Sequence, residues 1–372
     1  MKILLQILGA LCLVHCALSI DVDLNDEVQQ RITRVLEPGN ANDERLTLFR
    51  QFVAEFGRKY ASDWEIEFRF DAFKKNMDVH DHFVQNEEGT AEYGMTEFSD
   101  YGEKELSKFT SQCERQAPEL TGVESQSFQE MVQMGEELLY RDLQYKDTPS
   151  SVDWRKKGLI SPVLDQGYCS SSWAYAATTA LETAYALQTN HFQRLSKQQL
   201  IDCDRFNYAC CGGRPHMSYL YLNRDGGMEL DKTYNGRPFL RRCHFKRENA
   251  KVQVYGLALF TNTSVAINEE LIEKYVAEKG PVVVNLTPNG LTVYKKGILR
   301  QKDTKCLKNS NYIYHSVVLV GYGEEGGVKY WIGKNSWGKK WGENGYFRIE
   351  RGNNMCGLAS YGVAPIVTPP TK

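Results

Sequence analysis

Charge of one sign is what this chain lacks first. Its 372 residues carry 45 Lys and Arg against 47 Asp and Glu, a net charge of -2 with both signs spread along the length. Nothing in that balance favours nucleic acid or an acidic membrane surface as a partner. Metal and phosphate signatures are missing as well. There is no His-Glu-x-x-His, no Gly-x4-Gly-Lys-[Ser/Thr], and no cysteine pair interleaved with histidines at zinc spacing, so neither a metal nor another cofactor is expected. The one dinucleotide-like glycine pattern, "GYGEEG" at 321 to 326, runs into the apolar stretch "VKYWIG" and not into a helix. It reads as a hairpin turn. Beyond the first eighteen residues no apolar run is long enough to span a bilayer. Between residues 20 and 150 there is one cysteine, Cys113, in a chain that has ten.

What is present begins with a leader. Met1-Lys2, an apolar run from Ile3 to Leu18, and small residues at Ala17 and Ser19 predict a secretory signal peptide over 1–19 and a soluble mature protein, extracellular or lysosomal. Cys12 and Cys16 leave with it. Seven of the remaining eight cysteines lie beyond residue 150, so a disulfide framework belongs to the second part of the chain. Before it, Leu46, Phe49, Phe52, Val53 and Phe56, then Phe68, Phe70, Phe73 and Met77 after a break near Ser62-Asp63, recur at helical spacing. One more helical stretch lies near "FQEMVQMGEELLY", and "TPSS" at 148 to 151 marks a domain boundary. Beyond it comes the helical "WAYAATTALETAYALQ". Period-two runs such as "SVVLVGYG", "KYWIGKNSW" and "GYFRIE" follow, with glycines between them.

Three pieces then line up. Gln166-Gly167-Tyr168-Cys169 and Ser170 to Ser172-Trp173 open the first helix of the second part; His315 follows 143 residues after Ser172; Asn335-Ser336-Trp337-Gly338 comes twenty residues later. Each alone has a bland reading, since an Asn-Ser-Trp is usually a turn and a histidine beside valines usually a satisfied core residue. Their joint order resembles the papain family of cysteine peptidases, in which His and Asn follow the nucleophile by about 130 to 150 residues. "SSVDWRKKGLISPV", "LSKQQLIDCD" and "CGG" are similar to the same family's mature start and cleft wall. Glu65, Arg69, Phe73 and Asn76 resemble its inhibitory-propeptide helix, with His80 where an Ile is expected, and "YGMTEFSD" resembles the segment leading into the cleft.

The resemblance implies an α+β, papain-like two-lobed fold, with a helical lobe, a β-barrel-like lobe and an N-terminal helical inhibitory propeptide. It divides the chain into a proregion at 20–147, with helices over about 42–109 and a linker at 110–147, and a peptidase domain at 148–372. It implies bridges Cys169–Cys210, Cys203–Cys243 and Cys306–Cys356, leaving Cys211 either free and buried or bonded to Cys113. It places Ser172 at the nucleophile position, His315 and Asn335 beside it, and Gln166 in the oxyanion hole. Gly212, Gly213, Arg214, Tyr314, Asn285 and Trp337 fall on the substrate cleft. In such a site a thiol of pKa about 8.5 is drawn down to about 3 to 4 by a helix N-terminus and a histidine, which a hydroxyl cannot follow. Ser172 therefore predicts a protein inactive or strongly attenuated as a cysteine protease, acting by binding a protein or peptide in the cleft and held by its own proregion. The alternative is a hydrolase using Ser172 as nucleophile with His315 and Asn335. A third route, Cys211 as nucleophile, would need that residue at a helix start. Ser170 stands where glycine gives substrate backbone room. Asn285 and Asn262 both begin glycosylation sequons, of which Asn262 sits in the more polar turn.

Overall fold

A computed structural model describes residues 27–38, 43–110, 119–143, 148–236, 238–261, 265–302, 306 and 315–367. The expected leader, Cys113, Asn262 and Tyr314 lie outside the described residues. The chain forms two compact units. One comprises Met1–Asp78 with Glu97–Glu103, and the other Val79–Thr96 with Lys104–Lys372.

In the first unit, helix α1 covers 27–38, an element that the apolar pattern of the sequence did not announce. Helix α2 (Glu44–Glu55) starts at Asp43, whose carboxylate accepts the Arg45 N–H. Helix α3 (Asp63–Asn86, of which the part to Asp78 belongs to this unit) starts with a reciprocal box, Ser62 Oγ accepting the Glu65 N–H while Glu65 accepts the Ala61 N–H. The predicted apolar faces meet here: Phe49 lies 5.3 Å from both Phe70 and Phe73, and all three are buried. Phe68 corrects the expectation. It is 38 % exposed and stacks on exposed Trp64, because a position two before Phe70 turns off the face that Phe70, Phe73 and Met77 share. Asn76 Nδ2 donates to the carbonyls of Phe98, Ser99 and Tyr101, and Arg69 donates to that of Asp100. The propeptide-like residues thus hold one turn, over 97–101, through its backbone carbonyls.

The second unit holds β1 (Glu92–Tyr93), α4 (Glu103–Thr110, from Lys104) and α5 (Gly122–Leu143), then β2 (Val152–Asp153), α6 (Ser172–Thr189), α7 (Lys197–Cys203) and α8 (Pro215–Asp225). After these come β3 (Gly256–Phe260), α9 (Val265–Glu278), β4 (Val282–Leu286), β5 (Tyr294–Lys296), β6 (Ile298–Leu299), β7 (His315–Glu325), β8 (Val328–Lys334), β9 (Tyr346–Glu350) and β10 (Gly362–Ile366). The sheet runs β3-β10-β4-β7-β8-β9-β6, with β2 also on β7, and β1 pairs with β5. "GYGEEG" is the expected hairpin: β7 and β8 are antiparallel, and Gly326 and Gly327 take φ of 58° and 81° at the turn. Helix α6 buries Trp173, Ala174, Ala176, Ala177, Ala180 and Leu181 in the central core and packs against β7 among its neighbours. Its alanines let the helix axis come close to the central strands. That contact fixes where α6 begins relative to where β7 begins, which is how the site is built. No described helix is long and apolar enough to cross a membrane.

Candidate active site

Ser172 is the first residue of α6, after Ser171, whose side chain makes no cap bond. Unpaired N–H groups and the helix dipole therefore favour negative charge at this end. The Cys169–Cys210 disulfide ties the segment before it to the loop preceding Gly212. His315, fully buried, opens β7, and its Nε2 lies 2.7 Å from Asn335 Oδ1. The Trp337 ring lies 4.7 Å from the imidazole and packs edge-on against Trp341, so the His315–Asn335 bond is walled from water. Gln166 is held on both sides: its Nε2 donates to the Cys169 carbonyl, and its Oε1 accepts from Ser336 Oγ at 2.6 Å. Gln166, Ser172, His315, Asn335 and Trp337 are brought together as the motif order predicts.

The hydroxyl of Ser172 does something else. Its Oγ accepts the Ser316 N–H at 3.3 Å, and no hydrogen bond joins Ser172 to His315 among the described residues. Burial pushes the His315 imidazole down to about 4, with the Asn335 hydrogen bond and the Phe109 backbone working in the opposite direction. At neutral pH it is an uncharged ring.

Gly212 and Gly213 are buried directly after the turn that the Cys169–Cys210 bridge ties to the segment before α6. A Cβ on Gly213 would come within 2.6 Å of the Trp173 ring and of Asn207 Oδ1, so only glycine fits. Arg214 follows with its N–H on Asn207 Oδ1 and its side chain exposed at the start of α8. Two residues on, His216 Nδ1 lies 2.8 Å from the buried hydroxyl of Tyr361. Asn285 sits in β4 with Oδ1 accepting from Ser316 Oγ. As a paired strand residue bonded into the site it is a poor sequon. Tyr314 lies outside the described residues, so its expected place on the cleft has no counterpart here.

Part of the site escaped the sequence reading. Ser170 Oγ donates to the Lys108 carbonyl at 2.9 Å, the Phe109 ring packs edge-on against Tyr168 at 5.3 Å, and Lys108 reaches over the Tyr168 ring. The end of α4 therefore covers the approach to Ser172 and His315. The Ser170 bond joins positions 62 residues apart through a backbone carbonyl, which no residue type announces.

Residues 148–366 match the papain family cysteine proteases, and residues 49–106 match the cathepsin propeptide inhibitor domain. The chain belongs to the papain family of cysteine proteases. Among papain-family relatives it is similar to cathepsin F of Drosophila melanogaster, at 31 % identity over 86 % of this chain and 50 % of that protein. It is similar also to cathepsin F of Mus musculus, at 34 % identity over 86 % of this chain and 64 % of that one. The chain thus spans only half to two thirds of those relatives' length. Its fold matches the digestive procathepsin L2 proteinase of the Tenebrio molitor larval midgut with a TM-score of 0.70, 27 % identity, and coverage of 87 % of this chain and 100 % of that one. The papain-like α+β fold with an N-terminal helical propeptide is the observed one.

The three bridges that this family resemblance implied are present: Cys169–Cys210, Cys203–Cys243 and Cys306–Cys356. Cys211 is disulfide-bonded too, so of its two expected states the free and buried one is wrong. Its place in a short 3-10 turn, Ala209–Cys211, also removes it as a nucleophile.

Proposed function

We propose that Ser172 occupies the nucleophile position of a papain-family homologue whose cysteine-protease activity is absent or strongly attenuated, and that the protein acts by binding a protein or peptide ligand in its groove. The observation that carries this reading is the Ser172 hydroxyl turned to the Ser316 N–H with no bond to His315. A serine nucleophile needs a general base within hydrogen-bond reach, whereas a thiolate is held largely by charge. The His315–Asn335 pair, Gln166 and the glycine wall keep the groove's shape, and exposed Arg214 suits an acidic side chain on the ligand. The leader, the disulfides and the cathepsin-like relatives support a secreted or lysosomal location.

The intact His315–Asn335 bond favours one second reading, a slow hydrolase in which Ser172 closes on His315 once α4 is displaced. Burst kinetics with an activated acyl ester separates the two. No burst, or one unchanged in Ser172→Ala, is the expected outcome; a burst abolished by Ser172→Ala would establish the hydrolase.

A further inference from the structure

Helix α5 (Gly122–Leu143) lies between the two matched segments of the chain, in what the sequence reads as a linker of the proregion. It does not pack as a removable piece. Met131, 2 % exposed, sits in the same apolar core as Trp173, Leu181, Val283 and Val318. Gly135 meets β3 backbone to backbone: a Cβ there would fall 1.9 Å from the Leu257 carbonyl oxygen. On the facing strand, a Cβ on Gly256 would fall 2.9 Å from Met134 Sδ. Glycine weakens a helix interior, so a glycine at this one contact position matches the closeness of the helix to the strand. The start of α5 is fastened as well. Thr121 and Glu124 cap each other, Arg224 donates to Ser127 Oγ at 2.9 Å, and Arg205 pairs with Glu124 at 3.6 Å. Further along, the Phe128 ring lies 5.6 Å from His216, which follows Arg214 by two residues and bonds the Tyr361 hydroxyl.

By contrast, α4 meets the site through a hydroxyl, a carbonyl and ring edges at its end. A helix that contributes a side chain to the central core cannot leave without opening a cavity there, whereas one held at its end can.

We propose that α5 is a permanent element of the C-terminal unit. Processing by an external endopeptidase, one water consumed per peptide bond cut, then falls N-terminal to Thr121. The processed protein keeps Thr121 and the chain after it, with Phe128 against the His216–Tyr361 pair. The inference is independent of whether Ser172 turns over any substrate.

The test is limited proteolysis of the native full-length protein with trypsin and, separately, thermolysin, read by intact mass and N-terminal sequencing under reduction. The smallest resistant fragment should begin N-terminal to Thr121 with both. A resistant, folded fragment beginning between 144 and 153 would overturn the proposal. Gly135→Leu should make cleavage within 122–143 at least ten-fold faster, while Gln133→Leu on the exposed face leaves it unchanged. Met131→Ala, a milder change, gives the same reading if Gly135→Leu does not fold. Cleavage of α5 no faster than wild type in Met131→Ala would also overturn it.

Discussion

The Ser172 hydroxyl at the start of α6 and the His315 ring at the start of β7 do not bond to each other, and a thiol at the same atom would behave differently. A thiolate is stabilised by the α6 N-terminus and by a protonated His315, so Ser172→Cys, once the proregion is removed, should acquire labelling by a thiol-directed epoxide that wild type lacks. Peptide hydrolysis by that variant should stay low until Ser170→Gly is added, since the Ser170 hydroxymethyl group stands beside the groove. Robust hydrolysis by the single variant would refute the second half. His216 gives a pH prediction. Burial, reinforced by Arg214, lowers its folded pKa from 6.5 to about 4, so it stays neutral in the fold while the unfolded chain takes up a proton. Its contribution is full above about pH 6.5 and is lost as pH falls toward 4, on the order of 3 kcal/mol. Buried Asp204, raised to about 7, acts in the opposite sense, so the overall profile does not isolate the histidine. The comparison that does is His216→Gln, whose loss of Tm between pH 7 and 4.5 should be smaller than that of wild type.

Among the elements, α3 and the stretch it grips make the sharpest case. Replacing Asn76 by Leu leaves the carbonyls of Phe98, Ser99 and Tyr101 without that donor, and urea unfolding should show a loss of about 1–3 kcal/mol. A change under a few tenths would mean that water replaces the amide freely. How well the elements were legible depended on what kind of contact made them. α2, α3 and α6 were readable because Phe49, Phe73 and Leu181 recur on one helical face, and β7 to β9 because their side chains alternate. The site residues Gln166, His315 and Asn335 were readable because motif order survives separation along the chain. The exposure of Phe68 was not, since spacing finds a face but not its edges. The cover of α4 over the groove was not either, because Ser170 bonds a carbonyl that every residue possesses. Nor was the fit of α5, which rests on the absence of a side chain at Gly135.

For the molecule as a whole, the cysteines close a tally. Three bridges use six of them, Cys211 is also bonded, and Cys113 is the only other cysteine after residue 19. Non-reducing peptide mapping is expected to return a Cys113–Cys211 peptide, and a reduced, alkylatable Cys113 would contradict this. The end of α4, lying over Ser172 and His315, has a wider consequence. An occupant carried on the same chain is present at an effective concentration that for short tethers reaches the millimolar range, whatever the dilution of the protein. Any outside ligand of the groove competes against that standing concentration. Its apparent affinity in the uncut protein is weaker than its intrinsic one by the fraction of time the groove stands open. On the proposed binding function, a single cut between α4 and Cys113, which leaves α4 on the side that the expected Cys113–Cys211 bridge does not hold, would therefore raise the apparent affinity without altering one atom of the groove, arming the protein by proteolysis even if it performs none.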